Sequence, residues 1–326
     1  MQHALMMIDA LNPEIEIRVG NLSRVAMTFS ANGEYLWTGG EEGVGVWRVE
    51  DGKQMATVKS GRVQCFAVSK DGRWIAAGTE FGQVFVWNAK TYETVISHLG
   101  DVTEVTGLDF SPDSSRLVSA LHNQIATIWD IATRKRVQTL QHGRYDSVEA
   151  AKFSPQGDRI ATATNRSVRV WDSTDGRLLV QISVRVSTWP NTGLFWFNNR
   201  LIAISDNFFT SKILREFEAS TGSLVSECRV PNIHSPIVLL KHWGFIACSA
   251  AQAVAFWDTA IHTQLGLTRH PQDIRSIVLS PDDRFLAIGG EGGKITIDRL
   301  SHITVSIMSR WIVVHINNFL APIIFP

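Results

Sequence analysis

Cysteine is scarce in this chain: Cys65, Cys228 and Cys248 are the only three among 326 residues. The odd count and the lack of CxxC or CxxH spacing argue against a disulfide framework and against a structural zinc site. Reduced thiols are therefore the simpler interpretation. We expect an intracellular protein, located in the cytoplasm rather than in the nucleus.

The chain also lacks an excess of charge of either sign, since 31 basic side chains balance 31 acidic ones. Strong binding to nucleic acid or to anionic membranes depends on an excess of positive charge. Neither class of partner is therefore indicated by the composition.

Long uninterrupted hydrophobic runs are missing at both ends. The amino-terminal segment has no basic start and reaches Asp9 before any apolar run, so we expect no signal peptide. The apolar segment 309–326 is interrupted by His315, Asn317 and Pro322, which leaves stretches too short for a transmembrane helix.

The usual sequence patterns of catalysis are absent too. GGEGGK at 289–294 has Ile288 where a phosphate-binding loop needs glycine, and no Ser or Thr follows Lys294. The 10 histidines are scattered, without a pair at metal-ligand spacing. No G-x-S-x-G elbow is present. We therefore expect no enzymatic activity, no cofactor and no metal site.

Tryptophan, by contrast, is abundant, with 11 residues. Five of them end similar strand-like runs, at successive separations of 40, 42, 42 and 86 residues. The last separation is two periods, and a period of about 40–45 residues is typical of propeller blades. These residues are Trp47, Trp87, Trp129, Trp171 and Trp257.

Two further units follow from the spacing. Phe217, in REFEASTG, fills the double gap and is followed by a Thr-Gly turn like those after the tryptophans. Ile297, in KITIDRL, falls 40 residues after Trp257 and marks a seventh unit.

Each unit contains four strand-like segments. About 18 residues before the tryptophan position, a hydrophobic strand ends in a turn such as FSPDS, which begins at Phe110, or FSPQG, which begins at Phe153. Proline presets φ in such a turn, and Asp or Gly accepts the conformations that follow. Three more short segments rich in β-branched residues complete the unit. The sequence predicts an all-β fold, a single seven-bladed β-propeller of four-stranded antiparallel blades.

The sequence resembles the WD-repeat family, as in the β subunits of heterotrimeric G proteins. Literal WD dipeptides begin at Trp129, Trp171 and Trp257, and FSPD occurs at 110–113. The resemblance covers roughly residues 15–300. It implies a closed ring whose last blade is completed by a strand from the amino-terminal end.

Two segments are candidates for the closing strand, because an open ring would expose blade faces and unpaired edges. We favour EIEIRVG at 14–20 over ITVSIMS at 303–309. The chain then divides into an N-terminal extension (1–13), the propeller (14–300) and an apolar C-terminal tail (301–326), which is either separate from the last blade or part of it.

The family's blades often contain a hydrogen-bonded set formed by a loop histidine, a strand Ser or Thr, a turn aspartate and the tryptophan. This chain has loop histidines at His98, His142 and His270, but no turn aspartate. We therefore predict that the full network is absent and that the tryptophans act mainly by burial. The loops that lack the aspartate contain Glu41, Glu42, Glu80, Asn123, Asn165, Gln252 and Glu291.

The resemblance implies that partners bind to the face formed by two sets of loops. One set joins each outer strand to the next blade, and the other joins the second and third strands of a blade. These loops predict an acidic arc opposite a basic region, which would orient a partner, although loop charges can also serve solubility alone. The acidic residues are Glu41, Glu42, Glu80 and Glu291, and the basic ones are Arg144, Arg166 and Arg185.

Aromatic residues add a second signal beside the basic region. Phe208 and Phe209 lie in an extended loop of blade five, where they either fold into the ring or form a contact patch. Tyr145 and Trp189 lie in the loops that enter blades four and five. We predict that these four residues contact a partner.

Three functions are compatible with these observations. The favoured one is a non-enzymatic scaffold that binds other proteins. The sequence leaves open the identity of these partners and the oligomeric state of the scaffold itself. The alternative is a sensor or substrate-recruiting module of a larger multidomain regulator. The third, a propeller enzyme, would need metal ligands or carboxylates around the channel, and no such concentration is found.

Overall fold

The computed structural model describes residues 7–8, 15–19, 26–40, 43–98, 103–184, 186, 193–197, 199–207, 211–231, 234–240, 245–249, 252–258, 263–270 and 272–300. These residues form seven sheets of antiparallel strands, one of which gains a short parallel strand at its edge, and this confirms the predicted all-β propeller. Within these ranges, no helix has the length and apolar character needed to cross a bilayer.

Two short strands precede the blades: Met7–Ile8 (β1) and Ile15–Arg18 (β2). Blade one contains Met27–Phe29 (β3), Tyr35–Gly39 (β4), Val44–Arg48 (β5) and Gln54–Val58 (β6). Blade two contains Val63–Val68 (β7), Trp74–Thr79 (β8), Val84–Asn88 (β9) and Thr94–His98 (β10). Blade three contains Val105–Phe110 (β11), Arg116–Leu121 (β12), Ile125–Asp130 (β13) and Lys135–Gln141 (β14). Blade four contains Val148–Phe153 (β15), Arg159–Thr164 (β16), Ser167–Asp172 (β17) and Leu178–Ser183 (β18).

Blade five contains Leu194–Phe197 (β19), Arg200–Asn207 (β20), Ser211–Glu218 (β21) and Leu224–Pro231 (β22). Blade six contains His234–Leu240 (β23), Phe245–Ser249 (β24), Ala253–Asp258 (β25) and Thr263–Arg269 (β26). Blade seven contains Ile274–Leu279 (β27), Phe285–Gly290 (β28) and Lys294–Arg299 (β29), with a short 3-10 turn at Glu291–Gly293. The first strand of each blade lies nearest the channel, and the last forms the outer edge.

Apolar packing between neighbouring blades closes the ring. The described residues form seven buried clusters, and each cluster draws its residues from two consecutive blades. Between blades three and four, for example, Ile128 and Leu140 pack with Phe153 and Trp171. A sheet buries both faces only when it has a neighbour on each side, so the closed ring is what makes these blades stable.

The amino-terminal segment supplies the last strand of blade seven. β2 pairs antiparallel with β29, with Ile15 opposite Ile297, and the side chain of Ile17 is 2% exposed. β1 pairs in parallel with β26 at the outer edge of blade six. The rival segment, 303–309, lies outside the described residues. Of the two candidates, the structure thus pairs the amino-terminal one with the blade.

Strand register identifies the tryptophan position of each blade. Leu36 pairs with Trp47 in blade one, and Leu201 pairs with Phe217 in blade five, as the sequence predicted. In blade seven the prediction is wrong by one residue, because Leu286 pairs with Asp298 rather than with Ile297. Asp298 is 2% exposed, so a carboxylate occupies the buried site that an aromatic ring fills elsewhere.

The turns after the inner strands share one hydrogen-bonding pattern. The hydroxyl of Ser111 donates to Asp113 at 2.6 Å and accepts the N–H of Arg116 at 2.9 Å. A side chain therefore holds both ends of the turn. The fourth turn residue has a positive φ, which favours glycine. Equivalent serines are Ser30, Ser69 and Ser280, and the fourth residues are Gly33, Gly72, Ser114, Gly157 and Asp283.

Candidate partner-binding site

Two sets of loops form one face of the ring, which we call the upper face: those between outer and next inner strands, and those between second and third strands. Antiparallel order brings both sets to the same edge of every blade. Five of the predicted contact residues lie in its described part: Glu80, Arg144, Tyr145, Arg166 and Glu291. Outside the described residues lie Glu41, Glu42, Arg185, Trp189, Phe208 and Phe209.

The two described residues of the predicted acidic arc each form an ion pair. Glu80 lies 3.3 Å from Arg62, and Glu291 lies 3.6 Å from Arg275. Surface pairs of this kind add little stability. They do offset the negative charge of Glu80 and Glu291 on this side of the upper face. The sequence predicted the acidic residues but not the arginines that pair with them.

Tyr145 is the most exposed large hydrophobic residue among those described, with 71% of its surface accessible. Its backbone has a φ of 73°, a conformation that is uncommon for residues other than glycine. The guanidinium of Arg144 lies 5.8 Å from the centre of its ring, close enough for a cation–π interaction. The loop thus presents an aromatic ring and a cation together to solvent.

A buried ion pair holds this loop from below. Arg169, in the third strand of blade four, donates to Asp146 at 3.0 Å, and both side chains are 11% exposed. Arg169 also donates to Gln181 at 3.2 Å, while the N–H of Asp146 donates to the carbonyl of Gly143 at 3.0 Å. Because Asp146 directly follows Tyr145, these contacts fix the backbone that carries the exposed ring.

His142 anchors the other end of the loop. Thr162 Oγ1 lies 2.7 Å from His142 Nε2 and accepts a hydrogen bond from Trp171 Nε1 at 2.8 Å. His142 Nδ1 lies 3.2 Å from the carbonyl of Leu140, so a neutral ring can donate there and accept from the hydroxyl. Burial, assisted by the charge of Arg169, lowers the pKa of His142 to about 4. The ring is therefore uncharged at neutral pH.

These contacts correct the prediction that the tryptophans act mainly by burial. Trp47 Nε1 donates to Thr38 at 2.9 Å, and Trp129 Nε1 donates to Ser119 at 2.9 Å, as Trp171 does to Thr162. The turn aspartate is missing, yet each Ser or Thr hydroxyl still accepts a hydrogen bond from the indole N–H. In blade four the hydroxyl also contacts the imidazole of His142. Part of the family's network therefore persists without the acid.

Blade six lacks this hydrogen bond. The buried Nε1 of Trp257 has no partner among the described residues. Register places Cys248 at the position that Thr38, Ser119 and Thr162 occupy in other blades, since Ile246 pairs with Trp257. An indole N–H buried without an acceptor weakens the fold.

We expect Cys248→Thr to stabilise the protein by about 1 kcal/mol, because the hydroxyl would accept from Trp257 Nε1. Denaturant unfolding of the variant and the wild type would measure the gain. Cys248→Ala is the matched control, since it removes the thiol without adding an acceptor. Equal stability of the two variants would contradict the explanation.

A buried acidic side chain lies between blades three and four. Glu149 is the extra residue of a β-bulge in the inner strand β15, and His122 Nε2 lies 3.5 Å from its carboxylate. Burial raises the pKa of Glu149, and the charge of Glu104 adds to the effect while His122 opposes it. Within the described residues, no three metal-binding side chains converge. Sequence reasoning did not identify this residue, because the bulge gives no signal in the spacing.

The opposite end of the channel contains a cavity of about 700 Å³. Its wall includes Phe110, Phe153 and Trp196. Lys152 lies 3.4 Å from Asp109, which also accepts the N–H of Phe153 at 2.8 Å. These contacts tie blades three and four together. None of the predicted contact residues lines this cavity.

Seven closed blades with a loop-bearing upper face define a WD-repeat propeller, a class that generally serves as a non-enzymatic scaffold for other proteins. The family model for the nucleolar protein 10-like N-terminal domain matches residues 10–209, and the WD domain, G-beta repeat model matches 261–297. Because the first match covers more than half of the chain, this protein belongs to the nucleolar protein 10-like propeller family.

Similar proteins agree on the fold. WD repeat-containing protein 18 of Danio rerio is 26% identical over 184 residues, which are 52% of this chain and 42% of that protein. Protein groucho of Drosophila melanogaster is 26% identical over 287 residues, 83% of this chain and 38% of that protein. The chain thus spans less than half the length of these relatives.

Solved structures give the same result for the architecture. The crystal structure of the RRP9 WD40 repeats superposes with a TM-score of 0.72 and 16% identity, over 89% of this chain and 98% of that one. The structure of U3-55K also gives a TM-score of 0.72, with 17% identity, over 89% of this chain and 100% of that one. At this identity the likeness establishes the fold alone.

The expected cytoplasmic location is wrong. The matching family takes its name from a nucleolar protein, which points to the nucleus. Balanced charge and reduced thiols could not have made the distinction, because the cytosol and the nucleus are both reducing.

Proposed function

We propose that this propeller is a non-enzymatic, protein-binding scaffold of the nucleolus. The family to which it belongs supports the location. The observation that carries the binding role is the loop of blade four, in which a largely exposed Tyr145 stands on a backbone held by the buried pair of Asp146 and Arg169. A fixed, exposed aromatic ring is typical of residues that dominate the energy of protein interfaces.

The proposed contact surface, the blade-four patch, consists of Arg144, Tyr145 and Arg166. Arg166 is exposed in the loop between the second and third strands of the same blade. Glu80 and Glu291 would form the opposite, polar rim of the contact. From the sequence alone we add Trp189, Phe208 and Phe209 beside the patch, and Glu41 and Glu42 on the rim.

We expect Tyr145→Ala to weaken capture of the protein's main partners by roughly tenfold or more, the usual effect of removing an interface anchor. The tagged full chain would be purified from nucleolar fractions, and its partners quantified by mass spectrometry. Phe81→Ala is the matched control, because Phe81 is 59% exposed in an upper-face loop of blade two. Full retention of every partner by a folded Tyr145→Ala variant would refute the proposed contact.

A second candidate function is a substrate-recruiting module within a longer regulator. It is favoured by the relatives, of which this chain spans 42% and 38%. Full-length transcripts from the locus would test it. A transcript that adds another folded domain would support the module, and a transcript that encodes these residues alone would oppose it.

A further inference from the structure

The charges of the upper face are distributed unevenly. In blades two and seven, Arg62 and Arg275 are each paired with a glutamate. In blade four, neither Arg144 nor Arg166 forms an ion pair with any described residue, and both are exposed. Arg169 beneath them is already compensated by Asp146. Lys59, in the loop between blades one and two, is also exposed and has no ion pair with a described residue, but within the described part of this face the blade-four patch places two such cations beside an exposed aromatic ring.

An apolar surface accompanies this charge. The ring of Tyr145 is 71% exposed and its neighbour Arg144 lies beside it at 5.8 Å. The backbone beneath is held at both ends, by Thr162 at His142 and by Arg169 at Asp146. A surface organised before binding loses little conformational entropy when a partner docks.

Resting on the proposed function, we infer that the blade-four patch binds an acidic peptide segment that carries an apolar or aromatic side chain. Carboxylates of the segment would bind Arg144 and Arg166, because a guanidinium group binds a carboxylate in a forked geometry. The apolar side chain would pack on Tyr145. The partner is thus identified by charge complementarity to the two unpaired cations.

Single-stranded nucleic acid fits the patch less well. Proteins that bind it generally combine a basic groove with several aromatic rings on which successive bases stack. Here the whole chain has no net charge, and the other exposed Phe or Tyr ring of the described upper face, Phe81, stands beside the neutralised pair of Glu80 and Arg62.

The test measures fluorescence anisotropy with the full chain and three probes. The first is a short peptide with one phenylalanine flanked by glutamates, and the second has lysines in place of the glutamates. The third is a single-stranded oligouridylate. We expect binding of the first probe alone, weakened by added salt because the contacts are ionic.

Variants locate the binding. We expect Tyr145→Ala and Arg166→Glu each to weaken binding of the acidic peptide by roughly tenfold. Tyr145→Phe should retain the affinity, because the aromatic ring remains. Phe81→Ala is the control and leaves the affinity unchanged. Thermal melting of each variant shows that a loss of binding is not a loss of fold.

Other outcomes overturn the inference. Binding of the oligouridylate in place of the peptide, lost in the same variants, would assign the patch to nucleic acid. Absence of peptide binding, or binding that survives Arg166→Glu, would remove the acidic partner. If the variants still lose their partners in nucleolar capture, the proposed function stands without this inference. If they keep every partner, the proposed contact fails as well.

Discussion

Ile17→Asp is expected to unfold most of the protein. The Ile17 side chain is 2% exposed and packs in the cluster between blades seven and one, with Phe29, Leu36 and Ile295. Removing it costs about 2–5 kcal/mol of packing, and a carboxylate buried without a partner adds several more. A total above about 5 kcal/mol is comparable with the whole stability of many domains.

The effect spreads because the closing strand joins both ends of the ring. Without β2, the edge of β29 would be unpaired and the faces of blades seven and one would separate. Circular dichroism during denaturant unfolding would show the loss. Glu16→Ala is the control, since Glu16 lies next to Ile17, is 45% exposed and pairs with Lys294. It should cost less than about 1 kcal/mol. If both variants melt like the wild type, β2 does not close the ring.

The number and type of blades could be predicted because they depend on a period that the sequence shows directly. The first four of the blade tryptophans recur every 40–42 residues, and the turn signals lie 18 or 19 residues before them. The exact register could not be obtained by counting. In blade seven the corresponding position lies at Asp298, one residue beyond the expected Ile297, because the connections between blades vary in length.

Less of the candidate site could be predicted. Exposure of Arg144 and Tyr145 follows from their place in a loop, but the pair that supports them does not. Arg169 lies in VRVW, where alternation allows a solvent-facing charge, and its partner Asp146 is 23 residues away. Only the fold brings the two together. The hydrogen bond from Trp171 to Thr162 was missed for another reason: it does not require the turn aspartate, because the Thr162 hydroxyl accepts from the indole N–H directly.

Asp146→Ala is expected to destabilise the protein by about 3–5 kcal/mol, because it leaves the charge of Arg169 buried and unpaired. Both side chains of the pair are 11% exposed, so water screens the lost interaction poorly. The same change releases the backbone next to Tyr145. We therefore expect weaker partner capture even at temperatures where the variant remains folded, which denaturant unfolding and capture would measure together.

A double variant distinguishes the effect of losing the ion pair from the effect of leaving the Arg169 charge buried without a partner. Asp146→Ala with Arg169→Met removes both ions, and we expect it to recover most of the stability, since paired buried charges add little over apolar residues of similar size. It should not recover partner capture, because the loop still lacks its anchor. Arg62→Ala is the control for an exposed pair, with side chains 40% and 27% exposed, and should cost less than about 1 kcal/mol. If Asp146→Ala costs no more than Arg62→Ala, the buried pair does not support the loop, and the rigidity assigned to Tyr145 would have to come from His142 alone.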